Sequence, residues 1–236
     1  MITVIAKGVR NIPGISYQWL NNEYIKYVGN VGQHLEEAIY SFIHYETIPV
    51  TELRKASDNK SKPDHIGLIN LGWRGWEGTF PTSLIKECLD NSALNEKLIA
   101  YYNEAIETSV LRLPPLTTYF HKDPRPDKFN GTALTGIQPY MGNSIAELTG
   151  NVVFADYARG DTSGQPTRGV LAYTKVRTDC KVNNYGIIEI DYNFGKQSAY
   201  FVSLGSNHKQ TSLYLGVYGS SNITSPNAGT VFEIIP

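Results

Sequence analysis

Between Gly186 and Tyr218 apolar and polar positions alternate with a period of two. Ile188, Ile190 and Tyr192 alternate with Glu189 and Asp191, Tyr200, Val202 and Leu204 share a face, and so do Leu213, Leu215 and Val217. The pattern predicts strands over 187–192, 199–204 and 212–218. Three strands in succession with no helix between them imply an antiparallel sheet with one buried face. Further strands are expected over 152–157, 170–176 and 230–235, with weaker candidates at 133–138 and 178–182. Gly, Asn, Ser and Pro separate them, which is the layout of an antiparallel β-sandwich or a jelly-roll-like fold.

The first half reads differently. Residues 1–30 carry short apolar pieces, among them Tyr24, Ile25, Tyr27 and Val28, and suggest one or two short strands. Over 33–46 the residues Leu35, Ala38, Ile39, Phe42 and Ile43 recur at i, i+3, i+4, i+7 and i+8, which predicts a helix with one buried stripe. A polar loop over 54–64 follows, then the glycine-flanked pair Trp73 and Trp76. Helices are expected over 81–90, with Pro81 in its first turn, and over 93–111. Pro114, Pro115, Pro124 and Pro126 then stiffen a connector. The expected organisation is an α+β N-terminal domain over 1–112, a proline-rich linker over 113–131, and an all-β C-terminal domain over 132–236.

Composition refines this picture. The net charge is −1, and the 21 basic and 22 acidic residues are interspersed, so a nucleic-acid partner is not expected. No apolar run reaches the roughly 18 residues of a spanning helix, so membrane insertion is not expected either. The first residues lack the apolar core of a signal peptide. Cys88 and Cys180 are too isolated for a disulfide framework or a cysteine metal site. Sixteen tyrosines exceed what one buried cluster holds, so many are expected at the surface with a ring packed and a hydroxyl free to bond.

No nucleophile elbow, phosphate-binding loop, dinucleotide fingerprint or zinc-protease motif occurs, and the five histidines are dispersed. No catalytic residue, metal ligand or cofactor is therefore assigned. Glu189 and Asp191, two apart on an expected strand, have the spacing of a glycosidase pair as well as that of an ordinary wet face. Tyr214 and Tyr218 flank Gly216 on the face opposite Leu213, Leu215 and Val217, a shallow platform for a sugar ring, with Asn207 and His208 in the preceding loop within reach. The alternative is that the same rings pack on a second sheet or subunit. Trp73, Arg74 and Trp76 suit either an anchor in a partner protein or a loop folded back onto the first domain's own helices.

The residues 167–173 (TRGVLAY), the strand series 187–218 and the ending 225–232 (SPNAGTVF) resemble the terminal domain of bacteriophage tail fibres, tailspikes and related trimeric receptor-binding proteins. That resemblance implies a homotrimer located in the virion, a tip that binds a host surface glycan or protein, and a 1–112 region that attaches to other virion proteins of capsid, neck or tail. Alternatives within it are a purely structural capsid or neck fibre or decoration protein, and a polysaccharide-degrading hydrolase using Glu189 and Asp191.

Overall fold

The computed structural model describes residues 6–43, 69–82, 111–159, 167–176, 181–191, 198–219 and 228–236. Three antiparallel sheets carry the fold. The first is a meander of β2 (Ile15–Leu20), β3 (Glu23–Asn30) and β4 (Glu36–Ile43), with β9 (Thr117–Phe120) added beside β4. Asn21 and Asn22, at φ of 53° and 64°, make the two-residue turn between β2 and β3, a backbone that asparagine tolerates and hairpin twist favours. The second sheet is β10 (Leu134–Pro139), β11 (Asn151–Asp156), β12 (Val170–Lys175) and β13 (Tyr185–Ile188) in that order. The third is β14 (Tyr200–Ser206), β15 (Leu213–Tyr218) and β16 (Gly229–Ile234). Two small pieces complete it: β1 (Ala6–Lys7), β5 (Ile69–Asn70) and β8 (Leu111–Arg112) in parallel, and the hairpin of β6 (Trp76–Glu77) and β7 (Phe80–Pro81).

The sheets stack face to face, and side-chain alternation shows how. On β11, Val152 and Phe154 point to one core, where they meet Tyr27, Ile39, Tyr119, Phe129 and Tyr185. Val153 and Ala155 point the other way, to Phe201, Leu204, Leu213, Leu215 and Val217. β4 behaves alike: Ile39 faces the first core, while Ala38, Tyr40 and Phe42 face a third, with Val28, Ile69 and Leu71. Aromatic rings fill the first core. Tyr119 stacks on Phe154 with centroids 5.5 Å apart, and Tyr185 meets Phe129 edge-on at 5.6 Å. Where β10 touches β14 the backbones come so close that a Cβ on Gly136 would lie 2.5 Å from the Leu204 amide nitrogen.

Several expectations are corrected here. The described residues of 1–112 form strands and loops, not an α+β domain. The helix expected over 33–46 is β4, buried on both faces. A strand covered on both sides shows no polar alternation, so its apolar run is open to a helical reading. The helices expected over 81–90 and 93–111 lie outside the described residues except at their ends, where Pro81 belongs to β7 and Leu111 to β8. The candidate strand at 178–182 is described only at its last two residues, and both cysteines fall outside. The 113–131 stretch is no free tether: it supplies β9 and places Leu116, Tyr119 and Phe129 in the core shared by both halves. A jelly roll interleaves its strands between sheets, whereas here sequence neighbours pair in meanders. Among the described residues the one helical piece is the 3-10 turn at Ala146–Leu148, and no helix is long and apolar enough to cross a membrane.

Candidate functional site

The outward face of the third sheet gathers tyrosines. On β15 the inward Leu213, Leu215 and Val217 are buried, which turns Tyr214, Gly216 and Tyr218 outward, both rings half-buried. Register places Tyr200 directly across from Tyr218, and Tyr200 stacks on Tyr157 at 4.8 Å with rings 21° apart. Burial raises the Tyr157 hydroxyl, and Tyr200 and Tyr218 nearby raise it further. Between Tyr218 and Tyr214 the floor is Gly216, and Ser203 occupies the room a side chain there would need: a Cβ would fall 2.2 Å from its hydroxyl. The result is a row of rings, Tyr157, Tyr200 and Tyr218, continued past the Ser203 hydroxyl to Tyr214. Tyr214 and Tyr218 lie about 13 Å apart at ~3.3 Å rise per residue, room for more than one sugar ring. Tyr157 and Tyr200 were not expected here, because only the register across the fold brings them to Tyr218.

The turn between β14 and β15 is rigidly built. Asn207 Oδ1 accepts from the Thr211 amide at 2.9 Å, and Asn207 Nδ2 donates to Thr211 Oγ1 at 2.9 Å, so its side chain closes the turn. Gln210 fixes the turn to neighbouring elements, its Nε2 donating to the Tyr17 carbonyl and its own carbonyl accepting from the Met141 amide at 2.7 Å. His208 is left exposed at the tip.

Glu189 and Asp191 do not share a strand face. β13 ends at Ile188, and both carboxylates lie exposed beyond it. Ile190, between them, packs on the second core.

The tryptophan loop packs on its own chain. The Trp73 amide donates to the Gly8 carbonyl at 2.9 Å, the Arg10 guanidinium lies 5.6 Å over the Trp73 ring, and Thr82 Oγ1 donates to the Arg74 carbonyl at 2.9 Å. Trp76 is half-buried in β6, and the Arg74 side chain is exposed.

Sequence reasoning missed a junction of buried carboxylates. Glu77 Oε1 accepts four consecutive amides, from Gln33, His34, Leu35 and Glu36, at 2.7, 2.8, 2.7 and 3.2 Å. Glu36 accepts from the Thr79 amide and, at 2.7 Å, from Thr79 Oγ1; burial raises its pKa, the Thr79 bonds oppose the rise and Glu77 adds to it. Glu37 accepts from the Gly32 and Leu134 amides at 3.1 and 3.0 Å and pairs with His121 Nε2 at 2.8 Å. That bond raises the His121 pKa above its ordinary value, against the opposing effect of burial. Asp156 accepts from Tyr119 Oη at 2.9 Å, from the Ala133 and Ala158 amides at 3.0 Å, and from Thr132. Burial pushes its pKa up to about 7 although these donors hold it down. Glu36, Glu37 and Asp156 are 0% exposed and Glu77 3%, so no substrate reaches them. They tie loops to sheets. Among the described residues no cluster of His, Cys, Asp and Glu suits a metal ion.

No protein-family model matches the chain, and neither does any curated protein. Among solved structures it is similar to the PQQ-bound form of an aldose sugar dehydrogenase from Streptomyces coelicolor, with 12% identity and a TM-score of 0.47. The match covers 98% of this chain and 44% of that one, so the chain spans less than half that enzyme's length. The resemblance to phage fibres and tailspikes is corrected: no family model of that kind matches, and the structural similarity found is to a bacterial sugar dehydrogenase rather than to a phage fibre. The homotrimer, the virion location and the virion partners were implied by that resemblance and lose its support.

Proposed function

We propose that this protein is a non-catalytic binding protein that holds a surface glycan against the tyrosine row of its third sheet. The observation that carries the reading is the alignment of Tyr157, Tyr200, Tyr218 and Tyr214 on one outward face, with the Ser203 hydroxyl between the last two. Half-buried rings fixed by strand pairing offer flat apolar surface to the C–H face of a sugar, at little cost in side-chain entropy. Their hydroxyls and Ser203 offer hydrogen bonds to sugar hydroxyls. His208 stands at the end of the hairpin beyond Tyr214, held there by the turn that Asn207 closes. Glu189 and Asp191 take no part, because their exposure beyond β13 leaves neither in the desolvated setting a glycosidase acid requires.

The test is binding of the full chain to a panel of neutral and acidic oligosaccharides, with Tyr214→Ala, Tyr218→Ala and the double variant alongside. Each ring is worth about 0.5–1.5 kcal/mol, so the double variant is expected to bind roughly fivefold to 150-fold more weakly with its circular dichroism unchanged. A wild-type chain that binds nothing on the panel, or a double variant that binds as well as wild type, contradicts the reading.

A further inference from the structure

The strand β16 has an unusual setting. It is the edge of the third sheet, five of its six residues are exposed, and the apolar Val231 is 72% exposed. A flat edge of this kind, without proline, lysine or bulge within it, is a template for another strand.

Hydrogen-bond parity tells which groups it offers. The Gly219 amide donates to the Ala228 carbonyl at 2.8 Å, one step beyond the register pair Tyr218↔Gly229. In an antiparallel ladder bonded and non-bonded pairs alternate, so Thr230, Phe232 and Ile234 turn their amides and carbonyls toward β15. Gly229, Val231 and Glu233 turn theirs outward. These three residues are symmetric about Val231.

We infer that β16 pairs with β16 of a second copy of this chain, antiparallel, about a two-fold axis through Val231. In that register Val231 meets Val231, Thr230 meets Phe232, and Glu233 meets Gly229. The strand's one charged side chain therefore never opposes its own copy but faces a residue with no side chain. A Cβ built on Gly229 would meet nothing within 4 Å, which leaves space for the incoming glutamate. The pairing of Glu233 with glycine favours a second copy over an unrelated peptide, since an isologous contact requires this self-complementarity. The two third sheets become one six-stranded sheet. Val231 and Glu233 share the face of Gly216 and Tyr214 through their register, so both tyrosine rows lie on the same side of it. Two glycan sites on one rigid face raise the apparent affinity for a dense surface without new contacts to sugar; this last consequence rests on the glycan reading, the dimer does not.

Sedimentation and light-scattering mass over a dilution series test the dimer, using the full wild-type chain, Val231→Pro and Val231→Lys. Proline deletes an amide that β15 does not use and blocks the added strand. Lysine sets two like charges against each other on the axis. The expected result is a wild-type mass twice that of one chain, falling to one on dilution, with both variants at one chain throughout and an unchanged dichroism spectrum. If the proline variant fails to fold, the lysine variant decides. A wild-type mass of one chain at every concentration, a trimer, or variants that dimerise as wild type does overturns the inference, whatever glycan binding shows. On a densely glycosylated surface the folded variant is expected to bind about tenfold more weakly than wild type, with affinity for a free oligosaccharide preserved.

Discussion

Replacing Glu77 with alanine removes the one oxygen on which the 33–36 turn converges. Four amides donate to Glu77 Oε1 at 2.7 to 3.2 Å, and the side chain is 3% exposed. A hydrogen bond to a charged acceptor is worth about 1.5–3 kcal/mol, so a naive sum over four reaches roughly 6–12 kcal/mol. That sum is too large, since four donors share a single oxygen. Gln33, His34 and Leu35 are also exposed residues, so their amides can regain water once the glutamate is gone. Only the Glu36 amide is left buried without its acceptor. The expected loss is about 3–4 kcal/mol, a large part of the stability of an ordinary domain. Glu77→Gln keeps an oxygen in place and gives up only the charge, so its expected loss is about 1–2 kcal/mol. Urea unfolding followed by tyrosine and tryptophan fluorescence measures both, with equal m-values showing that the transition itself is unchanged. A loss below about 1 kcal/mol for Glu77→Ala, or equal losses for the two variants, refutes the argument that the shared acceptor is what matters.

Three further outcomes follow from the same geometry. Above about pH 8, where Asp156 is ionised, Asp156→Asn presents an NH2 to donors now aimed at both carboxyl oxygens, and is expected to lose about 2–4 kcal/mol by urea unfolding. Stability is expected to fall between about pH 4 and pH 8, with each titrating group contributing at most about 1.4 kcal/mol per pH unit. The sign follows from direction: Asp156, pushed up to about 7, and His121, raised by Glu37, each hold a proton in the folded chain that the unfolded chain has released, so stability is lost as pH rises through their folded values. In His121→Gln the part of that fall above about pH 6.5 is expected to flatten, and an unaltered profile contradicts the assignment. Gly136→Ala is expected to cost about 2–3 kcal/mol because the obstacle is the Leu204 backbone, whereas Gly216→Ala meets only a serine hydroxyl that can rotate aside, and is expected to cost under about 1 kcal/mol in thermal unfolding.

What the chain discloses in advance depends on how many of a strand's faces are wet. On β15 the outward residues are tyrosines and glycine, and the apolar set Leu213, Leu215 and Val217 stands out between them. β4 has no wet face: Ala38, Tyr40 and Phe42 enter one core and Ile39 another, so the alternation that identifies a strand is missing and a helical spacing takes its place. The same residues hide the carboxylate junction. Glu36 and Glu37 on a helix would belong to its polar side; on a strand they point into opposite cores, and their partners Thr79, Glu77 and His121 arrive from more than 40 positions away. Proline density suggests a connector over 113–131, but proline content does not distinguish a tether from a segment that adds a strand to a sheet and side chains to a core, as this one does. For the tyrosine row, Tyr214 and Tyr218 are readable from one strand's alternation, whereas Tyr157 and Tyr200 join through the pairing of separate strands.

The most direct measurement is the NMR spectrum of the chain with labelled tyrosine rings, titrated with the strongest-binding oligosaccharide of the panel. The account predicts that the resonances of Tyr200, Tyr214 and Tyr218 shift together with one saturation curve, while those of the buried Tyr27, Tyr40 and Tyr119 stay in place. Binding that leaves the three outward rings unmoved contradicts it.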